Sequence, residues 1–125
     1  MTNHNDDGGL RRIWNAAIYS LAGIQASCKH EAAFRQESLL SLILIPTAFW
    51  YGDNAVERVL LIGSCLMVLI VELLNSAVEA TVDRIGEERH ELAGRAKDMG
   101  SAAVFISFWV VFLTWGLIGY ERFIA

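Results

Sequence analysis

The chain has 125 residues, enough for one domain, but 54% of them are apolar and the mean hydropathy is +0.40. This composition is far from that of an ordinary soluble domain of this size and favours a membrane protein. The net charge of -4 argues against a nucleic-acid-binding protein, because no basic patch remains once the membrane topology has been accounted for.

Two segments precede the predicted membrane spans. Residues 1–9 are polar and acidic, unlike a cleaved signal peptide, and are expected to form a disordered tail. Over residues 10–28, apolar residues recur every three or four positions with polar residues opposite, a pattern typical of an amphipathic helix. Because its apolar content is too low for crossing a bilayer, we expect this helix to lie along the membrane surface. Packing against the protein's own spans is the alternative.

Three membrane-spanning helices are predicted, over residues 32–51, 55–82 and 98–121. The third is the clearest, because residues 99–120 form a charge-free run of 22 residues and about 20 suffice to cross the hydrocarbon core. A short turn at residues 52–54 joins the first two spans. Pro46 is expected to bend the first span unless neighbouring groups compensate for the lost hydrogen bond.

The basic residues predict how these spans are oriented. Eight of the ten lie before the first span, at its first turn or between the second and third spans, whereas Arg58 and Arg122 lie on the other side. The positive-inside rule therefore assigns the N-terminus and the second loop to the cytoplasm and the C-terminus to the opposite side. The sequence thus predicts a single all-α integral-membrane domain, residues 10–125, with three spans and one surface helix.

The second predicted span carries a stripe of acidic and polar residues at its cytoplasmic end. At about 100° per residue, its five members fall within an arc of roughly 100°: Glu72, Asn75, Ser76, Glu79 and Asp83. Carboxylates near membrane depth are costly, so their alignment indicates a polar pocket, a metal or a reaction.

A segment dense in both signs of charge, residues 83–98, follows this stripe. Carboxylates on facing helices favour magnesium, which commonly binds substrate phosphates as well, and Lys97 could neutralise such phosphates. The combination predicts phosphoryl transfer at a membrane surface. A solvated loop whose charges only fix the topology is the alternative for most individual members of the segment.

Three segments carry a resemblance to a known family: residues 31–37 (EAAFRQE), 72–79 (ELLNSAVE) and 94–103 (GRAKDMGSAA). They resemble the signature segments of the prokaryotic diacylglycerol kinase family, small integral-membrane lipid kinases, and the similarity extends over about residues 12–118. The resemblance implies a homotrimeric bundle in the bacterial inner membrane, with active sites shared between neighbouring subunits on the cytoplasmic side. It also implies transfer of the γ-phosphate of ATP to the hydroxyl group of diacylglycerol, giving phosphatidate.

The resemblance also implies roles for individual residues. Glu72 matches the general base, Glu31 and Glu79 match the magnesium ligands, and Asn75 matches an asparagine that orients this cluster. An interhelical hydrogen bond is the alternative for Asn75. Nucleotide-binding positions are matched by Arg12, Tyr19, Glu31, Glu79, Glu88, His90, Lys97 and Asp98. Lipid-binding positions are matched by Arg12, Ser20, Ala33, Phe34, Arg35, Gln36, Glu37, Glu72 and Ser101.

Three alternatives remain at this level. His90 also fits a histidine that simply faces solvent. A kinase of the same family that phosphorylates undecaprenol would share much of this pattern, since chain-length preference is not written in these motifs. A small cation channel or scaffold subunit is the alternative from a different class, but the acidic stripe clusters at one end of the span instead of continuing across it.

Overall fold

A computed structural model describes residues 8–86 and 90–125, and over these residues the chain forms four α-helices. They are α1 (Gly9–His30), α2 (Ala32–Tyr51), α3 (Ala55–Ile85) and α4 (Glu91–Phe123). The prediction of an all-helical protein is confirmed. Of the predicted tail, residues 1–7 lie outside the described part of the chain, whereas Gly9 already begins α1.

The turn between α2 and α3 is short, and the start of α3 is capped. The Asn54 side chain accepts a hydrogen bond from the Glu57 backbone N–H at 2.9 Å, and the Glu57 carboxylate accepts one from the Asp53 N–H, also at 2.9 Å. The first bond satisfies a backbone donor that the first turn of a helix leaves free, and the second ties the residue before the cap to that turn. Pro46 lies inside α2, which nevertheless continues to Tyr51.

A single non-helical residue, Glu31, separates α1 from α2. The Arg35 guanidinium group, one turn into α2, donates hydrogen bonds to the carbonyl oxygens of Cys28 (2.7 Å) and Lys29 (3.2 Å). Because the last carbonyl groups of a helix have no partner within it, these bonds stabilise the end of α1. The structure therefore shows a structural contact for Arg35, which was predicted only as a lipid-binding residue.

The core lies where α2 and α4 pack on α3. On α2 the buried residues Phe34, Ser41 and Ala48 are spaced seven apart, and on α3 Leu61 and Val68 lie on one buried face. Spacings of seven place side chains on the same side of a helix. Small residues in such contacts let apolar helices approach closely, as in membrane bundles.

Two of the described helices, α3 and α4, are long and apolar enough to cross a membrane. α2 was also predicted as a span, but its first two turns carry Arg35 and Glu37, and it is not among the helices that meet this criterion. Many large apolar side chains on all four helices are exposed, for example Leu42 on α2, Met67 on α3 and Phe112 on α4. Apolar surface this extensive requires a lipid or protein partner.

An aromatic contact closes the end of the bundle that contains the α2–α3 turn. The Tyr51 hydroxyl donates a hydrogen bond to the Trp115 carbonyl at 2.8 Å, and the Trp115 indole N–H donates to Ser64 Oγ at 3.2 Å. The Tyr51 and Trp115 rings lie 4.9 Å apart. Gly119 leaves room for the Tyr51 hydroxyl, since a Cβ at position 119 would overlap it.

Gly119→Ala is therefore expected to destabilise the protein. The added methyl group displaces a tyrosine ring that Trp115 and Phe123 hold in place, and overpacking of this kind costs about 1–3 kcal/mol. The measurement is thermal unfolding in detergent micelles, followed by circular dichroism. Gly116→Ala is the matched control, because a Cβ there meets nothing within 4 Å. Equal unfolding temperatures for the two variants would show that Tyr51 is not held as described.

Candidate active site

Glu72 continues the buried apolar face of α3. Leu61, Cys65, Val68 and Glu72 follow one another at spacings of four, three and four residues, and all four are buried. The Glu72 side chain is only 6% exposed. A carboxyl group in this position has lost most of its contact with water, so it requires polar partners within the protein.

The partner comes from α2. The Glu37 carboxyl group lies within hydrogen-bonding distance of the Glu72 carboxyl group, and the charge of Glu72 also acts on it. Glu37 Oε2 is buried and has no hydrogen-bond donor as a partner among the described residues. The structure therefore joins a predicted lipid-binding residue directly to the predicted general base.

Asn75 lies one turn after Glu72 and contacts Glu79. Its amide group donates a hydrogen bond to Glu79 Oε1 at 3.4 Å. Its Oδ1 atom is buried without a partner among the described residues, in a space that exists because position 100 on α4 is glycine. The alternative interpretation of Asn75, an interhelical hydrogen bond, is not what the described contacts contain, because its bond stays within α3.

Lys97 on α4 extends over the end of the polar stripe. Its Nζ atom lies 2.8 Å from Asp83 Oδ1, and the charge of Glu79 also acts on it. Both side chains of this ion pair are about half exposed, so the pair is open to water. The polar residues of this region thus extend from the buried Glu37–Glu72 pair to the solvent-exposed Lys97, which an anionic ligand could approach.

Glu31 occupies a different part of this end of the molecule. It lines a groove of about 470 Å³ between α1 and α3, together with His30, Ser76 and Ala80. Glu79, the other predicted magnesium ligand, is not among the residues that line this groove. Within the described ranges, residues 8–86 and 90–125, no group of three or more His, Cys, Asp or Glu side chains could hold a metal ion.

The remaining residues that were predicted to bind nucleotide or lipid do not form one cluster with the polar stripe. Phe34 is 3% exposed and belongs to the buried core. The Ser20 hydroxyl donates a hydrogen bond to the Ala16 carbonyl of its own helix at 2.8 Å. Six other predicted residues, on α1, α2 and α4, are each exposed: Arg12, Tyr19, Ala33, Gln36, Asp98 and Ser101.

His90 caps the start of α4. Its Nδ1 atom accepts a hydrogen bond from the Leu92 backbone N–H at 3.1 Å, which satisfies one of the free donors of the first turn. His90 also lines a cavity of about 680 Å³ between the end of α3 and the start of α4, with Val82 and Ala96. Glu88, the neighbouring predicted nucleotide contact, lies outside the described residues.

Two residues of this region had no predicted role. Asp83 belongs to the polar stripe, but its partner Lys97 is on another helix, so their pairing could not be derived from spacing within one segment. Gly100 lies in a run with Ser101, Ala102 and Ala103. Such a run of small residues indicates close helix contact, and it was the available signal for the space that Asn75 occupies.

These observations define a small helical protein with apolar helices of membrane-crossing length and a polar site at one end. The class is that of an integral-membrane protein more than that of a soluble bundle, because two helices are long and apolar enough to cross a membrane and many large apolar side chains are exposed. Residues 18–119 match the family model described as prokaryotic diacylglycerol kinase. The chain belongs to this family, as the three signature segments predicted.

Relatives support the same family over most of the chain. A diacylglycerol kinase of Pseudomonas aeruginosa is 57% identical over 110 residues, which cover 88% of this chain and 89% of the relative. A diacylglycerol kinase of Haemophilus influenzae is 54% identical over 108 residues, covering 86% and 92%. A diacylglycerol kinase of Escherichia coli (strain K12) is 52% identical over 119 residues, covering 95% and 98%.

Proposed function

We propose that this protein is a diacylglycerol kinase, which transfers the γ-phosphate of ATP to the hydroxyl group of diacylglycerol and releases phosphatidate and ADP. The family match over residues 18–119 carries this proposal. The polar site supports it, because phosphoryl transfer to a membrane alcohol needs a base at the depth of the lipid hydroxyl and cations that water-borne ATP can reach. Glu72 and Lys97 are suited to these two tasks by their burial and exposure.

The proposal includes a membrane topology. α2, α3 and α4 span the bacterial inner membrane, α1 lies on its cytoplasmic surface, and three copies assemble with shared active sites. The distribution of basic residues supports the orientation. The exposed apolar side chains of α2, among them Leu39, Leu42 and Ile43, are consistent with lipid or subunit contact. The number of subunits is implied by the resemblance to the family.

Glu72 acts as the general base in this reaction. Its carboxylate accepts the proton of the lipid hydroxyl while the hydroxyl oxygen forms its bond to the γ-phosphorus and the bond from that phosphorus to the ADP oxygen breaks. The lipid-binding residues of α1, α2 and α4 hold the hydroxyl in line with the phosphate: Arg12, Ser20, Ala33, Gln36, Glu37 and Ser101. Phe34, which is buried, and Arg35, which is bonded to the end of α1, contribute by fixing the position of α2. Positioning of this kind can supply a large part of the rate enhancement.

Lys97 binds the phosphates of ATP. Its ammonium group leaves Asp83 in part or entirely and donates hydrogen bonds to phosphate oxygens, whose charge it offsets. Other nucleotide contacts come from α1, the loop before α4 and α4 itself: Arg12, Tyr19, Glu88, His90 and Asp98.

The donors on α3 are of the type that magnesium binds. The ion prefers oxygen ligands and usually needs one or two carboxylates, with water and substrate phosphates completing its coordination. Glu79 and the unpartnered Oδ1 of Asn75 are oxygen donors of this kind, whereas Glu31, the second proposed ligand, lines a separate groove within one copy of the chain. When bound, magnesium would offset negative charge on the phosphates. Asn75 orients the Glu79 carboxylate for this purpose through its hydrogen bond.

The test is a kinase assay with the purified protein in mixed micelles, with magnesium and labelled ATP. Diacylglycerol and undecaprenol are supplied separately, and the products are separated by thin-layer chromatography. Labelled phosphatidate as the main product is the expected result. Preferential labelling of undecaprenol would reassign the substrate within the family, and ion flux in liposomes without ATP consumption would support a channel.

Asp83→Asn is expected to lower the KM for ATP by about fivefold, with little change in thermal stability. The substitution removes a carboxylate that competes with phosphate for Lys97, and the effect should be modest because both side chains are about half exposed to water. The measurement is the initial rate as a function of ATP concentration.

Glu91→Gln is the control for this prediction. Glu91, in the first turn of α4, forms another exposed ion pair of this helix, with Arg95 at 3.0 Å. The substitution removes this pair. The KM for ATP should be unchanged in this variant. An increase in KM for Asp83→Asn would instead mean that Asp83 orients Lys97 for binding.

A further inference from the structure

Glu37 and Glu72 meet inside the protein, between α2 and α3. Glu72 is buried, the Glu37 Oε2 atom is buried, and the two carboxyl groups lie within hydrogen-bonding distance of each other. Two ionised carboxylates in such a contact repel each other and contain no hydrogen with which to form a bond. One proton between them both removes the repulsion and supplies the bond.

Counting donors gives the same result. Glu37 Oε2 has no N–H or O–H partner among the described residues, and a buried acceptor without a partner costs free energy. A proton carried by Glu37 on this atom would satisfy it by forming a hydrogen bond with the Glu72 carboxylate. Aspartic proteases use the same principle, since two adjacent carboxyl groups there share one proton and act as a unit.

The cations Arg35 and Lys97 are bound to groups other than this pair. Of the ionisable groups on the elements that pack against α2, Glu72 of α3 is the one whose hydrogen bond and charge act on Glu37. Arg35 is the nearest cation in sequence, but its guanidinium group is bound to the carbonyl oxygens of Cys28 and Lys29 at the end of α1. Lys97 is paired with Asp83, beyond Glu79 along the stripe.

We propose that Glu37 and Glu72 share a single proton and act as one catalytic unit. Glu37 keeps that proton and donates it as a hydrogen bond to the Glu72 carboxylate, which leaves Glu72 ionised and fixes the orientation of its free oxygen. This rests on the proposed function of Glu72 as the base. Glu37 is then a positioning residue whose effect on the reaction passes through Glu72, in addition to any contact it makes with the lipid.

The proton balance of the step follows directly. The lipid hydroxyl gives its proton to Glu72 as its oxygen bonds to the phosphorus, so that both carboxyl groups are protonated once phosphatidate has formed. One proton then leaves to water, and the pair returns to its singly protonated state. Without Glu37, the Glu72 carboxylate would be buried alone, with neither a hydrogen bond nor a fixed orientation.

Two substitutions of Glu37 separate this role from a lipid contact. Glu37→Gln still donates an N–H hydrogen bond to the Glu72 carboxylate, so we expect it to keep more than about a tenth of the wild-type kcat. Glu37→Leu removes the donor, and we expect its kcat to fall by about a hundredfold while the KM for diacylglycerol changes little. Thermal unfolding of both variants shows whether either has lost its fold.

The pH profile supplies a second measurement. Raising the pH removes the shared proton from the wild-type pair, whereas the amide hydrogen of Glu37→Gln cannot be removed, so the alkaline decline of kcat should disappear in this variant. An increase in the KM for diacylglycerol with an unchanged pH profile would overturn the proposal and leave Glu37 as a lipid contact. So would complete inactivity of a folded Glu37→Gln protein, because it would mean that Glu37 needs its charge.

Infrared spectroscopy tests the shared proton without any enzyme assay. In detergent micelles at neutral pH, the wild-type protein should give the C=O stretch of a protonated carboxyl group, and Glu37→Gln should lack it. Absence of this difference would overturn the proposal even in an active kinase. Its presence in a protein that fails to phosphorylate diacylglycerol would instead reject the proposed function and retain the proton-sharing pair.

Discussion

Glu72→Gln is expected to remove nearly all lipid phosphorylation while the protein keeps its fold and its affinity for ATP. The side chain keeps its size, and its amide group can still bond to Glu37, so the packing between α2 and α3 is preserved. A neutral amide cannot accept the proton of the lipid hydroxyl, and loss of a general base typically costs about a hundredfold to ten-thousandfold in rate. The measurements are kcat for diacylglycerol phosphorylation and calorimetric binding of magnesium ATP in micelles.

Glu57→Gln provides the control for this variant. It makes the same chemical change on the same helix, but in the first turn of α3, where the Glu57 carboxylate accepts a hydrogen bond from the Asp53 N–H. This position lies at the opposite end of α3 from Asp83, the partner of Lys97, so turnover should remain near that of the wild type. If Glu72→Gln also turned over at a near-normal rate, the base would have to be sought elsewhere in the polar stripe.

Most of the helical architecture could be predicted from the sequence, because apolar runs and their periodicity act locally. α2 has the predicted bounds, Ala32–Tyr51, and α3 begins at the predicted residue. The largest difference is in α4, which begins at Glu91, whereas the predicted span begins at residue 98. The charge-free run fixes where a helix can enter hydrocarbon, but it does not fix where the helix starts. The charged turn before it is stabilised in water by the His90 cap and by the Glu91–Arg95 ion pair.

Only those features of the candidate site that lie within a single helix could be predicted from the sequence. The spacing of Glu72, Asn75 and Glu79 gives their common direction on α3, and the structure keeps them on one side. Contacts between helices could not be derived in this way, since they depend on how far one helix slides along another. Two contacts of the site join different helices in this way: Glu37 with Glu72, and Lys97 with Asp83. The subunit arrangement requires contacts between copies and has no local pattern to predict it.

Gly100→Ala is expected to lower kcat strongly, with a much smaller effect on stability. A Cβ at position 100 would overlap the Asn75 side-chain oxygen, so the amide has to rotate away. Rotation requires little energy, because the displaced atom is the end of a short side chain, but it breaks the hydrogen bond from Asn75 to Glu79. Misplacement of a catalytic group by about 1 Å can reduce a rate on the order of a hundredfold. The measurements are kcat and the thermal unfolding temperature of the same preparation.

Gly94→Ala is the matched control, because it adds the same methyl group to the same helix at a position where a Cβ meets nothing within 4 Å. Alanine is a better helix former than glycine by about 1 kcal/mol, so this variant should be at least as stable as the wild type and equally active. Asn75→Ala combined with Gly100→Ala extends the argument. If the methyl group acts only through Asn75, the double variant should have the activity of Asn75→Ala alone, since no amide remains to be displaced. A further loss of activity in the double variant would place the effect of Gly100 in the packing of α3 against α4 and not in the orientation of Asn75.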